Sequence, residues 1–138
     1  MSKQNIEIVQ DFKLPVGEVF ARLADHNRLS KILGVPVRRV RDGEGDLNGV
    51  GSVRRIGVRP LAFEETVTTL VPDQTIAYRI TKGAGSIGKT HAGKLEFSGA
   101  GDTSRVTWTV QFDAPPGVGA VVGFVLRQAL RRGLNRIR

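Results

Sequence analysis

The chain has 138 residues, a length that suits one domain able to bury a sizeable core. Its composition, 40% hydrophobic and 25% charged, is typical of a globular protein, and the absence of cysteine excludes disulfides, thiolate metal sites and cysteine nucleophiles. Lys and Arg number 21 against 13 Asp and Glu, so the net charge of +8 permits binding to nucleic acid or anionic lipid without establishing either.

A strand and two short helices are predicted at the start of the chain. Apolar residues alternate over residues 5–14, which predicts a half-buried strand. Over residues 15–25 the apolar period changes to that of a helix, and a proline suits its first turn. A second short helix is predicted from Asp25 to Ile32, with Asp25 or Asn27 as its N-cap.

Residues 35–113 are rich in β-formers and divide into six predicted strands. Clusters of Gly, Pro, Asn and Asp separate them, as in hairpin turns. Short connections between successive strands imply an antiparallel meander. The six segments are VPVRRVRD, GSVRRIGV, FEETVTTLV, TIAYRIT, THAGKLEF and SRVTWTVQFD.

A long helix is predicted near residues 117–137, after two prolines. Its apolar residues recur with helical period and predict a broad stripe that faces the core. The residues of this stripe are Val118, Val121, Val122, Val125, Leu126, Ala129, Leu130 and Ile137. A helix of about 20 residues extends roughly 30 Å, enough to cross a whole sheet.

Residues 83–90, GAGSIGKT, match the phosphate-loop pattern G-x-x-x-x-G-K-[ST] and also contain G-x-G-x-x-G. Both patterns bind phosphates only where a helix follows the loop. The next residues alternate in polarity and contain Gly93, Gly99 and Gly101, which predicts a strand. We therefore interpret the segment as a mobile hairpin tip that gates a cavity mouth, with Lys89 placed to contact an acidic ligand group.

The order of these elements, and several phrases, resemble one known family. LPVGEVFARLAD resembles the opening helix of the START-like superfamily, which includes Bet v 1-type proteins. FEETVTTLVPDQTIAYRITKG, HAGKLEF and SRVTWTVQF resemble its polyketide cyclase/dehydrase and lipid-transport branch. The resemblance implies an α+β helix-grip fold over residues 1–138: a seven-stranded curved antiparallel sheet around a long C-terminal helix, with two short helices after the first strand. It also implies a cavity for a small hydrophobic or amphipathic ligand such as a lipid, polyketide or aromatic metabolite.

Alternation along the strands assigns the side chains that face this cavity. Glu65 is predicted to point inward and Glu64 outward, unless a bulge reverses them. With the implied cavity, the expected lining is Arg55, Phe63, Glu65, Val67, Tyr78, Ile80, His91, Leu95, Trp108, Val110, Val122 and Leu126.

Three of these residues are also candidates for catalysis. His91 would act as general base and Tyr78 or Glu65 as acid in ring closure or dehydration of a polyketide. The alternative is structural: Glu65 pairs with Arg55, the Tyr78 hydroxyl is satisfied locally and His91 lies at the rim. The sequence leaves open whether the chain is a carrier or an enzyme.

No metal or cofactor site is expected. The only two histidines, His26 and His91, are far apart in sequence, and no carboxylate cluster accompanies them. His26 lies in the polar stretch DHNR and is predicted to be a surface residue. No signal peptide is indicated, and the longest apolar run, residues 118–126, is far shorter than the ~20 residues of a membrane span. We therefore expect a cytoplasmic protein.

A third interpretation, as a polyanion-binding module, rests on the basic end of the last helix. Arg127, Arg131 and Arg138 share one side, with Arg132 and Arg136 at its flank. They suit the helix dipole, so a structural role is available. We expect weak, non-specific and salt-sensitive binding to polyanions beside a salt-insensitive cavity. The aromatic residues fall on predicted core faces, which argues against base stacking.

Overall fold

The computed structural model describes residues 2–137. It contains seven strands and four helices. In chain order they are β1 (Ser2–Phe12), α1 (Val16–Ala24), α2 (His26–Leu33), β2 (Val37–Arg41), β3 (Val53–Ile56), β4 (Phe63–Val71), β5 (Thr75–Lys82), α3 (Gly85–Gly88), β6 (Ala92–Ala100), β7 (Thr103–Ala114) and α4 (Val118–Asn135).

All seven strands form one antiparallel sheet in the order β1-β7-β6-β5-β4-β3-β2. Strands β2 to β7 form a meander, and β1 pairs with β7 at one edge. The pairing register shifts twice between β4 and β5 and once between β2 and β3. Such irregularities bend a strand and increase its twist, so they help to curve the sheet. The predicted helix-grip fold is confirmed.

Helix α2 begins at the predicted cap. The Asp25 carboxylate accepts hydrogen bonds from the backbone N–H groups of Asn27 (2.9 Å) and Arg28 (3.4 Å). Asn27 therefore lies inside the helix and is not its cap. The helix ends at Gly34, whose φ of 74° is the left-handed conformation that glycine adopts without a Cβ penalty.

Helix α4 contacts β1 and α2 through glycines rather than through the predicted valine stripe. A Cβ on Gly119 would lie 2.7 Å from Gln4 Nε2, and one on Gly133 would lie 2.8 Å from the Ile32 carbonyl oxygen. The buried residues of α4 are Gly119, Gly123, Leu130, Gly133 and Leu134. The stripe prediction is therefore wrong at Val118, Val121, Val125 and Ala129, which are exposed.

The segment GAGSIGKT connects β5 to β6. It forms one helical turn, Gly85–Gly88, which the sequence did not predict, and β6 follows at Ala92. The strand predicted after the loop is therefore confirmed, whereas a phosphate loop is followed by a helix. Within residues 2–137, none of the helices combines the length and hydropathy that a membrane span needs.

Candidate functional site

A cavity of about 220 Å³ lies between the inner face of the sheet and helices α2 and α4. The helices supply apolar side chains on one side, and strands β3, β4, β5 and β7, with the residue just before β6, supply apolar and polar ones on the other. The lining residues are Leu29, Leu33, Val35, Arg54, Ile56, Phe63, Glu65, Tyr78, His91, Trp108, Leu126, Ala129 and Leu130. A wider depression near the β6–β7 turn is shallow and open to solvent, so it cannot enclose an apolar molecule.

An ion pair lies on the sheet side of the cavity. Arg54 and Glu65 are cross-strand neighbours on β3 and β4, and both are buried. Nε and Nη2 of Arg54 each lie 2.9 Å from Oε1 of Glu65, and within residues 2–137 no hydrogen bond to Oε2 is seen. Burial raises the pKa of Glu65, and the adjacent Arg54 guanidinium opposes that rise. The pair brings opposite charges together inside the cavity wall.

Tyr78 joins this pair to the neighbouring strands. The Arg54 guanidinium lies 4.8 Å from the centre of the Tyr78 ring, a cation–π arrangement. The hydroxyl accepts a hydrogen bond from Trp108 Nε1 at 3.0 Å, and no acceptor for its own proton occurs among residues 2–137. Burial, reinforced by the Glu65 charge, raises the pKa of Tyr78. The phenol therefore stays protonated and can donate into the cavity.

His91 precedes β6 and also lines the cavity. Its ring is stacked on Phe112, with centroids 6.0 Å apart, and lies 6.3 Å from the Tyr78 ring. Nδ1 is buried, and within the described residues it has no hydrogen-bond partner. Burial lowers the pKa of His91, so the imidazole is neutral near pH 7. It can therefore accept a proton.

His26 is buried, which corrects the prediction of a surface residue. It is the first residue of α2, is 0% exposed, and neither ring nitrogen has a hydrogen-bond partner within residues 2–137. Burial, followed by the charges of Arg54 and Arg39, lowers the pKa of His26 to about 4. The missed signal is its spacing: His26, Leu29 and Ile32 follow one another at i, i+3 and i+6 on the buried face of α2.

The expected lining is only partly assembled around the cavity. Six of the expected residues line it: Phe63, Glu65, Tyr78, His91, Trp108 and Leu126. Val67, Leu95 and Val110 are buried but are not part of the cavity wall. Ile80 and Val122 are half-buried and also lie outside it. The residues of the β5–β6 loop, predicted to gate the mouth, do not reach the cavity either.

Arg55 lies on the outer face of β3, which corrects the prediction that it lines the cavity. It pairs with Glu64, with Arg55 Nη2 2.9 Å from Glu64 Oε2, while Arg54 takes the inner position beside Glu65. The inward position of Glu65 itself agrees with the alternation. The signal for Arg54 was present in the sequence, because Arg54 and Ile56 are two residues apart and therefore share one face of β3.

Several lining residues were missed because they come from the helices and the adjoining loop. Leu29 and Leu33 are spaced i and i+4 on α2, and Val35 follows it. Ala129 and Leu130 come from α4. Within residues 2–137 no three His, Asp or Glu side chains are grouped to hold a metal ion. The site is thus an apolar cavity with a compensated charge pair and two groups able to exchange protons.

Solved structures with the same fold span nearly the whole chain. Ara h 8.0201 aligns with a TM-score of 0.70 at 16% identity, covering 99% of this chain and 98% of that one. A protein from Nitrosospira multiformis gives 0.74 at 17% identity, covering 98% and 97%. The Aha1 dimer from Colwellia psychrerythraea gives 0.72 at 16%, covering 93% and 91%. These likenesses establish the helix-grip fold. No curated protein matches the sequence.

The sequence itself matches one family model, described as polyketide cyclase / dehydrase and lipid transport, over residues 3–138. The match includes every strand and helix of the fold except the first residue of β1. It also includes every residue that lines the cavity. The chain therefore belongs to the polyketide cyclase/dehydrase and lipid-transport family.

Proposed function

We propose that the chain binds a small, neutral, amphipathic molecule in the cavity between the sheet and α4. One observation carries this proposal: apolar walls enclose about 220 Å³ beside the buried Arg54, Glu65 and Tyr78 side chains. Burying such polar groups is costly unless they are hydrogen-bonded, and a ligand with a polar group can complete their bonding. The apolar walls would hold the rest of the molecule.

The cavity volume limits the size of the ligand. An apolar cavity of about 150 Å³ accommodates benzene, whereas pockets for drug-sized molecules occupy roughly 300–1,000 Å³. A volume of about 220 Å³ therefore suits one substituted ring or a short aliphatic chain. A long-chain lipid would fit only if α4 moved away from the sheet.

The charge balance of the cavity favours a neutral ligand. Arg54 and Glu65 already compensate each other, so a charged ligand would bring an unpaired ion into a buried site. The available groups are the Tyr78 hydroxyl proton, as donor, and Glu65 Oε2, as acceptor. A ligand hydroxyl matches both, because it can accept one hydrogen bond and donate another.

Thermal unfolding with matched small molecules tests this proposal. A ligand at 100 times its dissociation constant adds about 2.7 kcal/mol of stability. We expect para-ethylphenol to raise Tm more than ethylbenzene does, and benzoate and benzylamine to have little effect. Tyr78→Phe should weaken para-ethylphenol binding about fivefold and leave ethylbenzene unchanged, because one hydrogen bond is lost.

A variant that fills the cavity provides the control. Leu126→Trp adds volume at a lining position and should abolish the Tm shift of every ligand. If no molecule raises Tm in the unmodified chain, the proposed function is wrong. If para-ethylphenol binds equally well to Leu126→Trp, it binds at another site, and the cavity assignment fails.

A second candidate function, catalysis in the same cavity, is favoured by the pairing of His91 and Tyr78. A neutral imidazole and a protonated phenol line one cavity with ring centres 6.3 Å apart. In ring closure His91 would remove an α-proton and Tyr78 would protonate the attacked carbonyl oxygen as the C–C bond forms. After the proton on His91 returns to Tyr78, the same pair would remove a second α-proton and protonate the new hydroxyl, which leaves as water when its C–O bond breaks. Glu65 is less suited to the acid role because Arg54 holds its Oε1.

Turnover separates a carrier from an enzyme. A linear poly-β-ketone substrate would be followed by the absorbance of its aromatic product. We expect an enzyme to lose at least a hundredfold in rate with His91→Ala. Thr109→Ala, on the outer face of β7, is the matched control and should leave the rate unchanged. Binding without turnover would assign the chain to the carrier function.

A further inference from the structure

Four large apolar side chains on the first half of α4 lie in solvent. Val118 is 46% exposed, Val121 65%, Phe124 65% and Val125 60%. Their spacing places them on one side of the helix, because residues three and four apart lie above one another. Exposed apolar residues are ordinary when scattered, but a contiguous group marks an interaction surface.

Glycine packing explains why these side chains point outward. Gly119 and Gly123 lie against Gln4 and Ile6 of β1, where a larger residue at Gly119 would overlap Gln4. The helix therefore buries its glycines and leaves its valines and Phe124 without an internal partner. The exposure does not arise from a frayed end, since Val118–Asn135 is one continuous helix.

The same side of α4 becomes basic one turn later. The spacing 118, 121, 125, 128, 132 continues the stripe through Gln128 to Arg132, with Arg131 beside it, and both arginines are exposed. No acidic residue occurs after Asp113. Other arginines of the helix serve the fold: Arg127 Nη1 donates to the Glu7 carbonyl oxygen at 3.2 Å.

We propose that this outer face of α4, formed by Val118, Val121, Phe124, Val125, Arg131 and Arg132, docks on an anionic lipid surface. The apolar half would enter the boundary between headgroups and acyl chains, and the two arginines would contact anionic headgroups. The N-terminal half of the helix would lie deeper than the C-terminal half. This activity goes beyond ligand binding in the cavity.

Charge complementarity selects lipid over the other possible occupants. A second copy of this face, packed in parallel, would bring four arginines together, and an antiparallel copy would bury arginines against valines. RNA would bind the arginines but leave Val121, Phe124 and Val125 in water. An anionic bilayer can bury the apolar half of this face and pair with its arginines at the same time.

Co-sedimentation with lipid vesicles tests the proposal. Binding of the full chain is compared between vesicles of phosphatidylcholine alone and vesicles that also contain phosphatidylglycerol, at low and physiological salt. We expect binding only with phosphatidylglycerol, weakened by salt. Phe124→Ser with Val125→Ser should weaken it about tenfold or more, because two exposed apolar side chains no longer enter the bilayer.

The charge variant and its controls complete the design. Arg131→Gln with Arg132→Gln should weaken binding to the anionic vesicles about tenfold or more. Two controls remove similar groups from other surfaces: Leu47→Ser, and Arg79→Gln with Lys82→Gln. Both should bind as the unmodified chain does. All the substituted side chains are exposed, so circular dichroism should show an unchanged fold.

Five results would overturn the proposal. They are equal binding to neutral and anionic vesicles, absence of vesicle binding, and loss of binding in both control variants as large as in the α4 variants. The fourth is a stable dimer that Phe124→Ser with Val125→Ser dissociates, which would assign the face to a second copy. Binding to RNA that requires Arg131 and Arg132 but tolerates the apolar variant, without vesicle binding, would likewise exclude a lipid partner.

Discussion

Arg54 and Glu65 form an ion pair across β3 and β4 on the inner face of the sheet, closed off from solvent by the helices. Removing two charges from water costs several kcal/mol per ion, which their attraction repays only with good geometry and further hydrogen bonds. An apolar pair of the same volume would hold these strands together at least as well. The proposed ligand would give this charge pair a role that stability alone does not require.

The first prediction compares single and double replacements of this pair. Glu65→Leu should lower the free energy of unfolding by about 3–5 kcal/mol, because it leaves the Arg54 guanidinium buried without a partner. Arg54→Met with Glu65→Leu should return the stability to within about 1 kcal/mol of the unmodified chain, or above it. Urea unfolding of Glu65→Leu, of Arg54→Met and of the double variant measures these differences.

The same variants separate stability from function. The double variant should fold normally and favour para-ethylphenol over ethylbenzene less strongly than the unmodified chain does, since the acceptor Glu65 Oε2 is gone while the Tyr78 hydroxyl remains as donor. If the effects of the two single replacements simply add, the side chains do not act as a pair, and this account of the cavity wall is wrong.

The second prediction concerns Gly93, which faces Tyr78 across β5 and β6. A Cβ on Gly93 would overlap the Tyr78 ring, so the absence of a side chain there lets the ring lie over β6. Gly93→Ala should cost about 1–3 kcal/mol and displace the hydroxyl from Trp108 Nε1. Tryptophan fluorescence and thermal unfolding report both effects, and an unchanged spectrum with unchanged Tm would contradict the prediction.

The sequence predicts correctly which side chains face inward from the sheet, but not which side of α4 is buried. Along a half-buried strand, alternation forces each side chain to one face or the other, so Glu65, Tyr78 and Trp108 were assigned correctly. Along α4, apolar valines and glycines occur on opposite sides, and hydrophobicity favours the valines. Close approach to β1 favours the glycines instead, and only tertiary structure reveals that constraint.

The sequence predicts those cavity residues whose position depends on a single strand. It does not predict those whose position depends on how several elements pack together. Glu65 was placed inward, but its partner was assigned as Arg55, although the position of Ile56 fixes Arg54 on the inner face of β3. The polar neighbours of His26 in the sequence predict a surface residue, whereas its burial depends on how α2 packs. Cavity walls built from two helices and a sheet depend on distances between elements, which no local pattern encodes.

The third prediction contrasts two glycines of α4. At Gly123 an added Cβ would lie 3.7 Å from Ile6 Cδ1, an ordinary van der Waals contact, so Gly123→Ala should stabilise the chain by about 1 kcal/mol through helix propensity. At Gly133 it would lie 2.8 Å from the Ile32 carbonyl oxygen, and Gly133→Ala should destabilise by about 1–3 kcal/mol. Urea unfolding of both variants decides; equal effects would refute the packing described for α4.

The buried His26 connects the fold to pH. In the folded chain its pKa is about 4, against an ordinary value of 6.5, because burial disfavours the charged imidazole. The unfolded chain therefore binds a proton at His26 below about pH 6.5, while the folded chain does so only near pH 4. Between these values the unfolded state holds more protons, so stability falls as pH falls.

The fourth prediction follows from that difference. Because of His26, the free energy of unfolding should decrease by up to about 3 kcal/mol between pH 6.5 and pH 4. His91 should add a smaller decrease of the same sign. Above pH 6.5 neither histidine should change the free energy of unfolding. His26→Leu, which forfeits no hydrogen bond at the ring nitrogens, should remove most of this slope. Urea unfolding at about pH 7.5 and about pH 5 measures this difference, because the lower pH lies between the pKa values of His26 in the folded and unfolded chain. A slope as steep in His26→Leu as in the unmodified chain would assign the acid sensitivity to carboxylates instead.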